Sequence, residues 1–189
     1  MPISARIKMK HIIHVLNNAL TTPAKTVTAF DKRLVKLVSE MKATLIATKN
    51  PKGVGLAAPQ IDVPLRVFLT RPKESDPIRV FINPEVIKRS DGQTEGVPER
   101  KNKLEGCLSI PKIWGRVQRA NTITLHYQDE NGTTHEEQFA GFLATIIQHE
   151  TDHTNGILFT QRVLEQNGKL YQPTRDEAGK EILEEITMV

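Results

Sequence analysis

The spacing of hydrophobic residues predicts a long helix early in the chain. Four apolar residues recur there at helical intervals: Leu34, Val38, Met41 and Leu45. Asp31 precedes them, and aspartate commonly caps a helix by accepting hydrogen bonds from the first backbone N–H groups. We therefore predict a helix from Asp31 to about Thr48, with its apolar side chains facing the core.

Short runs rich in β-branched and aromatic residues predict strands in the middle of the chain. These runs cover residues 65–70, 78–82, 122–127 and 133–139. In the third run, Ile123, Leu125 and Tyr127 alternate with other residues, so one face would be buried. Asn131-Gly132 is a strong hairpin signal between the last two runs. The polar residues 90–103 predict a surface loop.

An apolar run at residues 142–147 predicts a second helix, which begins near residues 139–141 and ends at Asn155-Gly156. Residues 174–186 predict one short acidic helix, weakened by Gly179. Helices near both ends, with strands between them, indicate an α+β domain.

Composition and charge narrow the class of protein. The 189-residue chain has a formal net charge of +4, and its basic residues are scattered, so no nucleic-acid footprint is indicated. No apolar run approaches the ~18 residues of a membrane span. Cys107 is the only cysteine, which excludes an intrachain disulfide and suits a reducing, cytoplasmic location. The first 30 residues lack Asp and Glu, which leaves an organelle transit segment as an alternative.

Residues 149–153 contain the pattern His-Glu-x-x-His. In a helix, His149 and His153 would lie on one face, one turn apart. Two imidazoles so placed can bind one metal ion, and Glu150 could take a proton from a water on that ion. The alternative is a chance pattern with two solvated histidines.

A catalytic metal site with three protein ligands needs one more residue. No histidine follows His153, but glutamates do, and Glu165 could serve as it would in a zinc peptidase. Upstream, Cys107 follows Gly106, which allows unusual backbone angles and close approach. A thiolate beside a divalent cation is deprotonated and would complete a Cys-His-His set.

A glycine-rich segment, Gly-Val-Gly-Leu-Ala-Ala-Pro-Gln, spans residues 53–60. Gly53 and Gly55 would let an extended peptide lie close to the backbone. Gln60 offers an uncharged amide that could hold a developing oxyanion. By itself, such a segment is more often a structural turn after a helix, so both interpretations stay open.

Together, the three segments resemble the signatures of the peptide deformylase family, in the family's order. The resemblance rests on residues 53–60, on Glu-Gly-Cys-Leu-Ser at 105–109 and on Gln-His-Glu-Thr-Asp-His at 148–153, and it spans roughly residues 31–160. It implies an α+β fold in which antiparallel sheets pack around a central helix that carries the His-Glu-x-x-His motif. It also implies a catalytic domain at residues 31–165, preceded by an N-terminal extension (1–30) and followed by a polar C-terminal tail (166–189), which is part of the same domain or partly ordered.

The family removes the formyl group from the N-terminal formyl-methionine of new polypeptides. The resemblance implies three ligands for one divalent ion: Cys107, His149 and His153. The native ion would be Fe²⁺, with Zn²⁺ or another first-row ion as alternatives. Glu150 would act as acid and base, and Gln60 and the backbone N–H of Leu108 would form an oxyanion hole.

Eight residues are expected to form the substrate-binding surface: Gly53, Val54, Gly55, Glu105, Gly106, Phe142, Thr145 and Ile146. The last three share a helical face with His149 and could floor a pocket for the methionine side chain, although plain core packing is an equally open interpretation. By the same resemblance, Arg119 would pair with Glu105. Asp152 and Gln148 could orient an imidazole, or could be solvated or capping residues.

Some positions depart from the family pattern. Trp114 stands where many members carry arginine, and an aromatic there could pack against the side chains of a bound peptide. Thr154 replaces the usual leucine after the second histidine, and we expect it to alter packing only. The C-terminal tail is acidic, so we do not expect it to dock on ribosomal RNA as the basic tails of some bacterial members do, even if the enzyme works near the ribosome.

Two other functions stay open from the sequence. A hydrolase of the same fold could act on another N-acyl group, or a non-catalytic relative could bind peptide N-termini. The second is disfavoured, because binding alone would not require Glu150 and Gln60 in addition to the metal ligands.

Overall fold

The computed structural model describes residues 8–49, 51–97 and 103–187. In these residues the chain forms three α-helices: α1 (Lys32–Ala47), α2 (Gly141–Thr154) and α3 (Phe159–Glu165). Two short 3₁₀ helices occupy Asn18–Leu20 and Ala58–Ile61. None of the described helices is both long enough and apolar enough to cross a membrane.

The strands form three antiparallel sheets within the described residues. The five-stranded sheet consists, in spatial order, of β1 (Gly55–Ala57), β2 (Val67–Thr70), β3 (Arg79–Arg89), β8 (Thr122–Gln128) and β9 (Thr134–Ala140). The four-stranded sheet consists of β11 (Glu181–Glu185), β10 (Leu170–Arg175), β6 (Ile110–Gly115) and β5 (Glu105–Cys107). The two-stranded sheet pairs β4 (Gln93–Glu95) with β7 (Gln118–Ala120).

Helix α1 forms as the hydrophobic pattern predicts. The Asp31 carboxylate accepts hydrogen bonds from the backbone N–H groups of Arg33 and Leu34, at 2.8 and 3.1 Å, and so caps the first turn. All four predicted core residues of this helix are buried, and Met41 is completely so. The helix therefore presents one apolar face to the core, and Thr48 follows its last residue as the C-cap.

Helix α2 is the central element of the fold, as predicted. Every residue from Ala144 to Thr154 is buried, because sheet strands and the 3₁₀ helix at Ala58–Ile61 contact it. Gly156, just after the helix, has a φ of +72°, the left-handed conformation expected there. A Cβ on Gly156 would lie 2.8 Å from the carbonyl carbon of Thr22, so a larger residue would force a shift.

The predicted hairpin around Asn131-Gly132 is confirmed. Strands β8 and β9 pair without a register shift, and the three alternating residues of β8 are buried. The strand predicted at residues 78–82 is longer than expected, because β3 continues to Arg89 by pairing with β8. The predicted loop at residues 90–103 contains β4, and its residues 98–102 lie outside the described part of the chain.

The predicted acidic helix at residues 174–186 is wrong. This segment belongs to a hairpin of β10 and β11, and α3 lies before it, where no helix was predicted. Gly179 has a φ of +78° in the turn, and the Asp176 side chain accepts hydrogen bonds from two backbone N–H groups of the turn. These contacts favour a turn over a helix. Strand β10 also pairs with β6, where Tyr171 lies opposite Trp114. The backbone of β10 therefore has hydrogen-bond partners on both of its edges.

Truncation of Met41 to alanine should lower the free energy of unfolding by about 2–5 kcal/mol, because a fully buried side chain leaves a cavity when removed. Val35, on the same helix but 62% exposed, provides the matched control, and Val35→Ala should change stability by less than about 0.5 kcal/mol. Urea unfolding followed by circular dichroism measures both. Equal losses in the two variants would contradict the described packing of α1.

Candidate metal centre and active site

Cys107, His149 and His153 come together, as the sequence predicts. One potential ligand atom from each lies within 4.8 Å of the other two, and the Cys107 Sγ is 3.2 Å from the His153 Nε2. All three residues are buried. Because metal bonds to sulfur and imidazole nitrogen are about 2.0–2.3 Å long, three donors at this spacing can share one cation.

Helix α2 and strand β5 position this donor set. His149 and His153 are one helical turn apart, and their ring centroids are 4.9 Å apart. Cys107 is the last residue of β5, and the register between β5 and β6 shifts between Gly106 and Cys107. Such an irregularity redirects the chain locally, and here it accompanies the approach of the cysteine to the helix.

The carboxylate of Glu105 orients His149. Its Oε1 lies 2.6 Å from the His149 Nδ1, which leaves the His149 Nε2 for a metal ion. Burial acts to lower the pKa of His149, but hydrogen bonds with Cys107 and Glu105 outweigh it and raise the pKa well above its ordinary value. Metal binding requires the neutral form of this ring.

Arg119 braces Glu105, as predicted. Its guanidinium donates hydrogen bonds of 2.9 and 2.7 Å to the two Glu105 oxygens and one of 3.0 Å to Asp152. Burial acts to raise the pKa of Glu105, but the Arg119 charge outweighs it and holds the pKa well below its ordinary value. Glu105 borders the expected substrate surface, yet both of its oxygens are already engaged within the protein.

Neither Asp152 nor Gln148 orients an imidazole. Asp152 accepts hydrogen bonds from Arg119 and Arg162, and Gln148 bonds to backbone groups of β7 and of its own helix. The orienting role goes to Glu105 instead. Sequence spacing could not identify it, because Glu105 and His149 are 44 positions apart.

His153 is held as a neutral ring. Burial lowers its pKa well below the ordinary value, and the charges of His149 and Arg119 lower it further. Neutral imidazole is the form that binds a metal ion. The Nδ1 of this ring is buried and has no hydrogen-bond partner among the described residues.

Gln60 lies beside the cysteine with its amide orientation fixed. Its Oε1 accepts a hydrogen bond from the Ala57 N–H at 2.8 Å, so its Nε2 points toward the Cys107 Sγ, at 3.6 Å, and the Ser109 Oγ, at 3.3 Å. Leu108 occupies the turn that follows Cys107. Ser109 is fully buried and was not singled out from the sequence, although it lies in the Glu-Gly-Cys-Leu-Ser segment.

The N-terminal segment bonds both to the 3₁₀ helix that carries Gln60 and to the turn that carries Ser109. The Ile13 N–H donates to the Gln60 carbonyl at 2.9 Å, and the Val15 N–H donates to the Ser109 carbonyl at 3.0 Å. Farther along, Leu20 and Val27 are buried. Residues 8–30 of the predicted extension therefore pack against the site-bearing core, and residues 1–7 lie outside the described part of the chain.

The pKa of Glu150 lies in the range in which a carboxyl group can both accept and donate a proton near neutral pH. Burial raises the pKa of Glu150 to about 7, and its Oε2 has no hydrogen-bond partner among the described residues. Gly55 makes room for this carboxylate, because a Cβ on Gly55 would lie 2.7 Å from the Glu150 carboxyl carbon. A carboxyl group with such a pKa suits general acid–base chemistry.

A cavity of about 530 Å³ opens beside these groups, and its lining includes Gln60, Cys107, His149 and Glu150. The lining also includes all eight residues expected on the substrate-binding surface: Gly53, Val54, Gly55, Glu105, Gly106, Phe142, Thr145 and Ile146. The three predicted segments thus surround one space that contains both the ligand cluster and an acid–base group.

The two departures from the family pattern have distinct structural settings. Trp114 lines the cavity and lies directly against Gly106, where a Cβ would come within 2.6 Å of the indole ring. Thr154 is buried, and its hydroxyl donates to the Thr151 carbonyl at 2.9 Å. The ligand set is undisturbed by Thr154, as expected.

Three residues of the C-terminal hairpin also border the cavity: Pro173, Glu181 and Leu183. Sequence reasoning missed them, because it assigned this segment to a helix in the tail. Their position depends on the pairing of β10 with β6, which has no local signal in the sequence.

A family model described as polypeptide deformylase matches residues 9–169. The chain belongs to the polypeptide deformylase family. The match extends beyond residues 31–160, the span indicated by the motifs alone. Peptide deformylase from Chromobacterium violaceum is 41% identical over 154 residues, which cover 81% of this chain and 86% of that protein. Peptide deformylase 1 from Bacillus cereus is 40% identical over 152 residues, with 80% and 90% covered.

Solved deformylase structures share the fold. The Thermotoga maritima enzyme has a TM-score of 0.72 at 34% identity, with 82% of this chain and 97% of that chain covered. The class I type b deformylase from Acinetobacter baumannii, with Met-Ala-Ser bound, has a TM-score of 0.73 at 33% identity, with 83% and 99% covered. The predicted α+β architecture, with antiparallel sheets around the motif-bearing helix, is confirmed.

The alternative ligand Glu165 lies elsewhere. It belongs to α3, where its carboxylate accepts hydrogen bonds from Gln161 and Arg162 on the same helix. The cluster of potential ligands found among the described residues contains Cys107 and no glutamate. A deformylase-type metal centre therefore fits this chain, and a peptidase-type centre does not.

Cys107→Ser should weaken metal binding by at least about 100-fold, because the loss of even an outer-shell partner of a ligand typically costs about 10–100-fold. Glu165→Gln should retain the metal. Metal content after dialysis, and competition with a chromogenic chelator, measure both variants. Retention by the cysteine variant together with loss by the glutamate variant would restore the peptidase alternative.

Proposed function

We propose that this protein is a peptide deformylase that removes the formyl group from the N-terminal formyl-methionine of newly made polypeptides and releases formate. The observation that carries the proposal is the arrangement around one cavity of a Cys-His-His ligand set, the buried Glu150 and the oriented amide of Gln60. Membership of the deformylase family supports the same activity.

Cys107, His149 and His153 would hold the divalent cation that the family requires. When bound, such an ion lowers the pKa of a coordinated water and polarises a carbonyl oxygen. One thiolate and two imidazoles suit several first-row ions. Among them we propose Fe²⁺ as the native ion, in line with the family's usual metal, and Zn²⁺ as a substitute.

Glu150 would move the proton. Its raised pKa, about 7, leaves a substantial fraction of the carboxylate ionised at neutral pH and able to accept a proton from the attacking water. The same group in its protonated form can then donate that proton to the leaving amine. Both steps need a carboxylate that is close to the ligands and not tied up by other donors, and the Oε2 of Glu150 meets the second condition.

Gln60 and Leu108 would stabilise the oxyanion that forms from the formyl oxygen. The bond from Ala57 to the Gln60 Oε1 fixes the amide so that only its N–H groups face the centre. Leu108 follows the ligand Cys107 directly and lines the same cavity, which supports its backbone N–H as the second donor. A single donor of this kind typically contributes about 2.7–4 kcal/mol to transition-state stabilisation.

The methionine side chain would occupy the cavity next to Phe142, Thr145 and Ile146, with Val54 on the glycine-rich segment. The apolar side chains of Phe142, Ile146 and Val54 suit a long, flexible thioether. Peptide binding by the family supports this assignment, since solved structures of the Acinetobacter baumannii deformylase hold Met-Ala-Ser and actinonin.

The partner of the enzyme would be the nascent chain itself. Docking on ribosomal RNA through the C-terminal segment is not part of the proposal, because β11 carries Glu181, Glu184 and Glu185, which phosphates would repel. A cytoplasmic location, where nascent chains emerge, stays a prediction.

Formate release from formyl-Met-Ala-Ser, with unformylated Met-Ala-Ser as the blank, tests the activity. An acetyl-Met-Ala-Ser reaction run beside it addresses the second candidate, a hydrolase of another N-acyl group. We expect formate from the first peptide only. Acetate release at a comparable rate, or no release of either acid, would overturn the proposal.

Glu150→Ala should keep its metal and lose activity by about 10²–10⁴-fold, the usual contribution of a general acid–base group. The reason is that the three ligands are left in place while the proton carrier is removed. Steady-state formate release together with metal analysis measures both quantities. Near-normal turnover in a metal-loaded variant would remove Glu150 from the proposed mechanism.

Activity should fall when the protein is purified in air and persist when it is purified under argon, because Fe²⁺ is oxidised by oxygen whereas Zn²⁺ has no redox chemistry. Elemental analysis of both preparations identifies the ion. Equal activity in the two preparations, with zinc as the bound metal, would contradict the iron proposal and leave the deformylase activity unaffected.

A further inference from the structure

The C-terminal hairpin continues the sheet that carries the ligand Cys107. In that sheet β5 lies at one edge, β6 and β10 follow, and β11 lies at the other edge. Trp114 on β6 pairs with Gly106 on one side and with Tyr171 on the other, so these residues share one face of the sheet. Trp114 and Gly106 both line the catalytic cavity. The same face therefore extends from the catalytic centre onto the hairpin.

The side chains of the hairpin that border the cavity follow the alternation of its strands. On β11, Glu181 and Leu183 line the cavity, and Pro173, the register partner of Leu183, lines it from β10. Ile182 and Glu184 project to the opposite face, as alternate residues of a strand must, and neither lines the cavity. One face of the hairpin is thus part of the cleft, and the other is not.

Side chains on both faces of β11 are exposed to a similar degree, so the two faces differ in their chemical groups and in their contact with the cavity. Leu183 is 39% exposed and Ile182 is 41% exposed, although only Leu183 borders the cavity. Glu185 of the same strand is paired with Lys169 at 2.6 Å, whereas Glu181 has no ion-pair partner among the described residues. The cleft face of β11 therefore offers an apolar side chain and, two positions away, a carboxylate that forms no ion pair among the described residues, with Arg175 as its register partner on β10.

We propose that this hairpin face binds the part of the polypeptide substrate that follows the formyl-methionine, and that it favours a basic side chain near Glu181 and an apolar side chain near Leu183. The proposal rests on the deformylase function proposed above. An extended peptide advances about 3.3 Å per residue, so a chain fixed at the catalytic centre must cross the cavity wall within a few residues. The hairpin forms part of that wall.

A positional scan with the metal-loaded enzyme tests the proposal. The substrates are formyl-Met hexapeptides with lysine or glutamate placed in turn at positions three to six, together with the short substrate formyl-Met-Ala. The wild-type protein should prefer lysine over glutamate about two- to five-fold in kcat/KM at one or more positions, mainly through KM, as expected for an exposed charge pair. Glu181→Lys should reverse that preference, whereas Glu184→Lys and Ile182→Ala, which change residues outside the cavity lining, should hydrolyse formyl-Met-Ala as the wild-type protein does.

Matched variants on the other face of the same strand supply the controls. Glu184→Lys makes the same charge change as Glu181→Lys and should leave the lysine preference intact. Leu183→Ala should raise the KM of hexapeptides with a leucine at the favoured apolar position about two- to five-fold, and Ile182→Ala should not. The same change in peptide preference or KM in both members of either pair would overturn the assignment of the hairpin face. A general effect of charge or stability would act equally on the two faces.

A binding measurement separates this proposal from the activity itself. Calorimetric titration with unformylated Met-Ala-Ala-Lys and Met-Ala-Ala-Glu peptides, extended to six residues where needed, requires no turnover. Tighter binding of a lysine peptide that disappears in Glu181→Lys and persists in Glu184→Lys supports the hairpin surface even if no formate is released. Equal binding of both peptides by all proteins overturns it even if deformylase activity is present.

Discussion

The buried ion pair between Arg119 and Glu105 is the interaction on which the catalytic centre depends. It joins β7 to β5, and through His149 and Asp152 both partners also reach α2. Charges in such a position are tolerated only when nearly every oxygen and N–H has a partner, and removal of one partner typically costs about 3–5 kcal/mol. The placement of one metal ligand is therefore inseparable from the folding of the surrounding core.

Steric pairing explains why two of the signature segments contain glycine. Gly55 lies against the Glu150 carboxylate, and Gly106 lies against the Trp114 ring, so a methyl group at either position would overlap its neighbour. In the first case the carboxylate of Glu150 is buried, and burial raises its pKa. In the second case the Trp114 ring occupies the space that a side chain on Gly106 would need. Glycine is therefore required at both positions by the side chain that packs against it.

Local patterns predicted the parts of the fold that local interactions determine. Helix α1 with its Asp31 cap, helix α2, the hairpin at Asn131-Gly132 and the pair His149 and His153 follow from periodicity or motif spacing. The choice of Cys107 as the third ligand came from the resemblance to the deformylase family. The β10–β11 hairpin did not follow from such patterns, because its acidic and apolar residues fit a helix equally well and its pairing with β6 is long-range. For the same reason, the contact of Glu105 with His149 emerges only in three dimensions.

The backbone bonds from Ile13 to Gln60 and from Val15 to Ser109 connect the active site to a chain segment outside the cavity. Neither Ile13 nor Val15 lines that space, yet their N–H groups donate to the carbonyls of Gln60 and of Ser109, the residue after Leu108. Loss of either bond would therefore free a segment that carries a site residue from a contact that lies outside the cavity.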